Sequence, residues 1–407
     1  MNEKPRQGPL VGLRVVELGT HVAVPNVTRA MADCGADVIK VEGLKGEEWR
    51  ILGKNYGIPY TAEENALFTA QNANKKFIAL DLKKEDGKET LLKLLENADV
   101  FISNVRLKSL VKMGLDYDSL KERFPRLIYC HFTGFGYEGP DAARPGFDMA
   151  AFWARSGAMV DWNNKGDFPM KPISGFGDAA TANLMLSGVL MALLAREKTG
   201  KGTLVSSSLY GSALWYNVSG VVQAQSCYGV PYPKSRYAPA NPFSHIYGCK
   251  DGNWIIITII DFDKKKEAFF RAMGLEEYAD DPRFASIKAA QDNIREVVDI
   301  LNAKFLERTR DEWAEAFEAN DIVYEKLVHY SEIENDPQAW ENHYLEKVTF
   351  PSGTTVALSR FPLLFSEYEL RPITPTRGVG CDTEAILTQA GYSQQQIDAM
   401  RQEGAIL

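Results

Sequence analysis

Asp178 stands between a glycine-flexible turn, Gly175-Phe176-Gly177, and an apolar run that reads as a helix from about Ala179 to Arg196. A carboxylate there meets the free N–H groups and the positive end of the helix dipole, which favour its ionised form. An ionised, fixed aspartate is what covalent acyl chemistry asks of a carboxylate nucleophile. The plainer role is capping, since aspartate is a preferred N-cap residue. Other routes to covalent or metal chemistry are weaker. The histidines, His21, His131, His245, His329 and His343, show no H-x-x-x-H or H-E-x-x-H spacing, so no metal site is expected. There is no G-x-S-x-G elbow, and Ser206-Ser207-Ser208 reads as part of a strand. Gly134-Phe135-Gly136-Tyr137-Glu138-Gly139 fits G-x-G-x-x-G after a strand, but Pro140 and Pro145 follow where a helix should open. That loop makes a poor dinucleotide cradle, and no P-loop signature is present.

The elements that must position Asp178 alternate. Leu13–Leu18 and Asp37–Glu42 read as strands flanking a helical stretch from Asn26 to Asp33, a β-α-β unit. Strands are predicted at Phe77–Leu82, Val100–Ser103, Leu127–Phe132 and Thr203–Leu209, with an amphipathic helix over Lys84–Ala98. Alternating strands and helices imply an α/β fold, a doubly wound parallel sheet. Ligands of such sheets sit beyond the carboxyl ends of the strands. Lys75, Lys76, Lys83, Arg106, Lys108 and Lys112 flank predicted strands, and cations there suit a phosphorylated ligand. The character changes near Ser226, where prolines cluster. A hairpin around Asp251-Gly252 and two helical patterns then mark a smaller α+β domain. The expected organisation is a large domain from 1–215 and 335–407, a small domain at 225–325, and linkers at about 216–224 and 326–334.

At 407 residues the chain is long for one core, which agrees with two domains. A net charge of −8 argues against nucleic acid as a partner. Cys34, Cys130, Cys227, Cys249 and Cys381 are scattered without a C-x-x-C pair, as in reduced cytoplasmic enzymes. The first twelve residues hold no apolar h-region, so no secretory signal is expected. The longest apolar stretch, Leu184–Ala195, is about twelve residues, short of a membrane span.

Taken in order, several segments resemble the class III CoA-transferases, the family of formyl-CoA and carnitine CoA-transferases. They are Gly12–Leu18, Gly35–Glu42, Asn74-Lys75-Lys76, Asp99–Asn104, Gly134-Phe135-Gly136, Phe176-Gly177-Asp178 and Thr199–Gly202. Pro145–Asp148, Ala154–Gly157 and Asp336–Trp340 are similar to the branch acting on 2-hydroxyacids, the phenyllactate and 2-hydroxyisocaproate transferases. The resemblance implies a Rossmann-like large domain and an interlocked homodimer. It also implies an acyl-CoA and a free carboxylic acid as substrates, with coenzyme A as the group moved. Asp178 matches the aspartate that carries the acyl group as a mixed anhydride. His21, Val22, Ala23, Leu80, Lys83, Asn104, Arg106, Lys112 and Met113 match positions that contact CoA. Gly134, Gly136, Gly175 and Gly177 are candidates to stabilise an oxyanion through backbone N–H groups. Phe147, Phe152 and Trp153, with Trp162, are candidates for the wall of an acyl pocket.

Two alternatives stand beside this reading: an acyl-CoA racemase and a non-catalytic CoA-binding protein. Related racemases carry histidine where this chain has Phe147, and phenylalanine moves no proton. Val22 replaces the glutamine of formyl-CoA transferase, which suits an apolar acyl group.

Overall fold

The structure, a computed structural model, describes residues 7–407. Residues 1–6, part of the segment read for a secretory signal, lie outside the described residues. Contacts divide the chain into two units. Among the described residues, the first comprises 7–158, 171–221 and 337–407; the second comprises 159–170 and 222–336. Trp162 therefore groups with the second unit.

The first unit is built on six parallel strands: β1 (Arg14–Leu18), β2 (Asp37–Glu42), β3 (Lys76–Ala79), β4 (Val100–Ser103), β5 (Ile128–Thr133) and β6 (Leu204–Ser208). Their spatial order is β3-β2-β1-β4-β5-β6, the doubly wound arrangement expected from the alternation of elements. Both faces are covered, which explains why the strands are apolar runs and not alternating ones. Val16, Ile39, Ile78 and Phe101 pack on one face, against α2 (Glu85–Leu95) and the C-terminal helices Thr383–Gln389 and Gln394–Gln402. Val15, Val38, Val100 and Ile128 pack on the other face, against α1 (Ala23–Asp33) and α4 (Phe176–Thr199). Chain order reverses between β1 and β4, so the loops after them diverge and leave a crevice at their carboxyl ends. Side chains stitch those two loops together. The Thr20 amide donates to Asn104 Oδ1 at 3.0 Å, and Asn104 Nδ2 donates to the Thr20 carbonyl at 2.9 Å. A short helix, α3 (Leu107–Met113), continues from the β4 loop.

Under β1 lies a buried charge cluster. Lys40 Nζ is 2.6 Å from Glu17 Oε1 and 2.7 Å from Glu47 Oε1, and Lys75 Nζ is 2.9 Å from Glu17 Oε2. Thr28 Oγ1 adds a hydrogen bond to Glu17 at 2.6 Å. Burial opposes the charge on Glu17, but Lys40 and Lys75 overcome it, and its carboxyl falls to about 2. Lys75 is thus a structural cation and not a surface group open to phosphate, and Lys76 pairs with Asp37 at 2.6 Å.

Helix α4 spans 24 residues, twice the apolar stretch read from sequence, and is long and apolar enough to cross a membrane by length and composition alone. One face of it packs on the sheet, while Met191 and Leu194 on the rest are exposed. Ala182, Met185, Leu186, Val189 and Leu193 bury against the sheet, and Arg196 pairs with Asp99 at 2.8 Å.

The second unit holds an antiparallel sheet of β7 (Ser244–Gly248), β8 (Trp254–Thr258) and β9 (Tyr324–Lys326). Gly252, at φ 78°, closes the β7–β8 hairpin that Asp251-Gly252 signalled. The three-residue β9 carries too little pattern to be read in advance. Aromatic rings fill this core, with Phe243 stacked on Phe262 at 3.7 Å and Tyr247 on Phe305 at 4.4 Å. The tail of the first unit contributes the hairpin β10 (Leu345–Thr349) and β11 (Thr355–Ser359) around Pro351-Ser352-Gly353.

Candidate active site

Helix α4 begins at Phe176, three residues before the expected start. Its N-cap is Gly175, at φ 94°, a left-handed conformation that costs glycine little. Asp178 lies in the first turn and does not cap. The cap comes from Asp148, whose Oδ2 accepts the Gly175 N–H at 2.7 Å. Asp148 opens a π-helical turn, Asp148–Ala154, and is buried. Gly177 makes room for it: a Cβ there would stand 2.3 Å from Asp148 Oδ1 and 2.4 Å from Phe152 Cγ. Capping by a residue 27 positions away has no local sequence signal, which is why Asp178 looked like the cap.

Freed from that role, Asp178 faces a cavity of about 690 Å³, a size typical of small-molecule sites. Thr20, His21, Ala23, Asn104, Arg106, Gly134, Gly136 and Phe147 line the same cavity. So do Lys108, one of the cations read as suiting a phosphorylated ligand, and His131, Tyr137 and Arg144, which the sequence did not mark as site residues. The electrostatics of Asp178 also differ from expectation. The helix terminus was expected to keep it charged. Instead, burial first and the neighbouring charge of Asp148 second raise its carboxyl to about 7. Burial raises the Asp148 carboxyl as well, against the lowering pull of the Gly175, Gly177 and Asp178 amides. Two carboxyls at one helix terminus thus compete for charge.

His21 adopts φ 64°, unusual for a non-glycine residue. Its amide donates to Glu47 Oε2 at 2.6 Å, which ties the loop to the buried cluster of Lys40 and Glu17. Its Nδ1 lies 3.0 Å from Thr20 Oγ1, and its ring meets the edge of Phe147 with centroids 5.5 Å apart. Val22 is buried behind the Gly175 turn, where a Cβ on Gly175 would meet it at 3.3 Å.

The remaining expected residues fall elsewhere. Leu80 is 1% exposed in the core and its amide donates to the Glu42 carbonyl at 2.9 Å, so it is closed to a ligand. Lys83 and Lys112 are exposed and Met113 is half-buried, all outside the cavity lining. Phe152 and Trp153 are buried beneath the α4 turn and do not line the cavity, whereas Phe147 is 62% exposed and does. Of the amides considered for an oxyanion, Gly175 is engaged by Asp148, and Gly136 donates to Thr133 Oγ1 at 2.9 Å. Ser208 caps α5 (Leu209–Tyr216) by accepting from the Gly211 N–H at 2.9 Å, so the serine run serves structure. Among the described residues, no group of three or more His, Cys, Asp or Glu side chains has metal-binding spacing.

Comparison with known proteins bears on the chemistry. The profile of CoA-transferase family III matches residues 10–383. The chain is 36% identical to the (R)-2-hydroxy-4-methylpentanoate CoA-transferase of Clostridioides difficile, covering 96% of this chain and 97% of the relative. It is 35% identical to the cinnamoyl-CoA:phenyllactate CoA-transferase of Clostridium sporogenes, covering 97% of each. A crystal structure of a CAIB/BAIF family protein from Brucella suis superposes with a TM-score of 0.82 at 29% identity, over 95% of this chain and all of the other. The matched region takes in the six-stranded sheet, the crevice between β1 and β4, and Asp178 at its mouth: the chain is an enzyme of CoA-transferase family III.

Proposed function

We propose that this transferase moves CoA between an acyl-CoA and a free 2-hydroxyacid of the phenyllactate or 2-hydroxyisocaproate type, through a mixed anhydride on Asp178. The observation that carries the mechanism is a carboxylate in a cavity with its helix-capping role taken by another residue. An Asp178 oxygen attacks the thioester carbon, and the C–S bond breaks to release CoA thiolate. The incoming carboxylate attacks the Asp178 carbonyl of the anhydride and expels the first acid. Thiolate then attacks the new acyl carbon, forming the product thioester and freeing the Asp178 carboxylate. The anhydride conserves the free energy of the thioester, so ATP is not needed. Arg106 and Lys108 are exposed on the cavity and, with Arg144, are the cations assigned to the CoA phosphates. Lys83, Lys112 and Met113 are assigned to the nucleotide end on the family resemblance alone. Gly134 remains the oxyanion candidate.

Only ionised Asp178 attacks, so its raised pKa sets the acid limb of the pH profile. Activity is expected to fall about tenfold per unit as pH drops below about 7. In Asp148→Asn the capping oxygen persists but the repelling charge is gone. The limb should move to lower pH, though not to the ordinary carboxylate range, because burial remains the larger cause. A kcat/KM profile of the two proteins checks this, and an acid limb that stays in place in the variant contradicts it.

Two features support the 2-hydroxyacid assignment: the names of the two relatives and an apolar wall containing Phe147 and Val111. In competition for one acyl-CoA donor, phenyllactate or 2-hydroxyisocaproate should be used at least about tenfold better than oxalate or carnitine, the discrimination an apolar pocket supplies. Equal use of oxalate would remove the assignment. A cytoplasmic homodimer belongs to the same proposal. Met191, Leu194 and Trp215 of the first unit are 65–70% exposed, an apolar surface that a second copy would cover.

A further inference from the structure

His131 and Tyr137 line the cavity with Asp178, and the hydrogen bonds between them fix a polarity. His131 is 1% exposed on β5. Its Nε2 lies 2.8 Å from the Val105 carbonyl oxygen. A carbonyl only accepts, so Nε2 carries the ring proton. Burial lowers the His131 pKa, outweighing the raising effect of the Val105 bond, and so favours the neutral ring. Its Nδ1 is then a bare acceptor, and Nδ1 lies on the Tyr137 hydroxyl. The phenol therefore spends its single proton on His131. Its oxygen keeps lone pairs, and among the described residues no other side chain or backbone group bonds to it. A ligand group that meets this oxygen has to be a donor.

We infer that the Tyr137 oxygen is a hydrogen-bond acceptor of fixed polarity that recognises a donor group on the bound acyl-CoA. The donor chemistry has two sources in such a ligand: the hydroxyl on C2 of a 2-hydroxyacyl group, or an amide N–H or hydroxyl of the pantetheine arm. The inference rests on the CoA-thioester reading above and adds to it a residue that discriminates between ligands. A 2-oxoacyl group would present an acceptor to an acceptor and be disfavoured, because a buried polar group left unpaired is costly.

The test is Tyr137→Phe in the full-length enzyme. The substitution keeps the ring, which meets His131 edge-on with centroids 5.5 Å apart. Initial rates are measured with two donors, 2-hydroxy-4-methylpentanoyl-CoA and 4-methylpentanoyl-CoA, and a common acceptor acid. Loss of one hydrogen bond should lower kcat/KM about three- to tenfold. If only the hydroxylated donor is affected, the group recognised is the C2 hydroxyl. If KM rises equally for both donors while kcat holds, the group is on the pantetheine arm. Either result supports the inference. Unchanged kcat/KM for both donors overturns it, as does an equal fall in kcat with KM unchanged, which marks a merely structural tyrosine. A wild-type enzyme that transfers from neither thioester would instead defeat the 2-hydroxyacyl-CoA reading on which the inference rests.

Discussion

Asp178→Asn is expected to lower CoA transfer by at least about 10³-fold, the scale seen when a covalent nucleophile is removed. The asparagine is nearly isosteric and uncharged, so the cavity keeps its shape and its cations. Binding of acyl-CoA should persist, which separates lost chemistry from lost folding. The same variant should gain stability at neutral pH. In the folded protein the Asp178 carboxyl is raised to about 7, above its unfolded value, so the native state binds the proton more tightly than the unfolded chain. Native stability therefore falls as pH rises from about 4 to about 7, and the full penalty applies above that. Holding the carboxyl that far above its ordinary value corresponds to about 4 kcal/mol at most, and partial solvent access reduces this to roughly 1–2 kcal/mol. The variant should unfold at a higher temperature than wild type at pH 8 and show no gain at pH 4. Thermal unfolding at the two pH values checks the sign, and an asparagine variant less stable than wild type at pH 8 would show that Asp178 serves structure.

Glu17→Ala carries the largest expected loss of stability. Glu17 balances both Lys40 and Lys75 with no solvent contact. Removing it leaves the buried Lys40 and Lys75 amines with Glu47 as the remaining ion-pair partner and Glu42 acting on Lys40 from further off. Breaking a buried pair in this way typically costs about 3–5 kcal/mol. Lys75 yields first, because burial already draws its pKa down to about 7 in spite of Glu17. Glu17→Leu combined with Lys40→Met and Lys75→Met should recover part of the loss, since both buried ammonium groups are gone and only Glu47 loses its ion-pair partner. Denaturant unfolding of the single and triple variants checks this. If the single variant loses less than about 1 kcal/mol, the cluster is not the rigid base of the His21 loop.

The layered sheet was legible because its signals are local. Val-rich runs such as Asp37–Glu42 and the leucines of α2 settle into strand and helix without help from distant residues. The family resemblance located Asp178 for a similar reason: its glycine-flanked turn is contiguous. The cap on α4 was not legible, because Asp148 reaches it from a separate turn. Nor was the raised pKa of Asp178, which depends on burial and on that same neighbour. Lys75 and Arg106 look alike in sequence, yet one is sealed under β1 and the other is exposed on the cavity. His131 and Tyr137 are six positions apart across a strand and a glycine loop, a spacing with no motif. Tertiary packing decided each of these, and local pattern carries no record of it.

The central claim is that Asp178 carries the acyl group. Enzyme mixed with acyl-CoA and no acceptor acid, then quenched with hydroxylamine, would trap an aspartyl anhydride as a hydroxamate. Peptide mass spectrometry should find that adduct on Asp178, only when acyl-CoA is present, and absent from Asp178→Asn. An enzyme that transfers CoA at its normal rate while Asp178 stays unmodified would contradict the account.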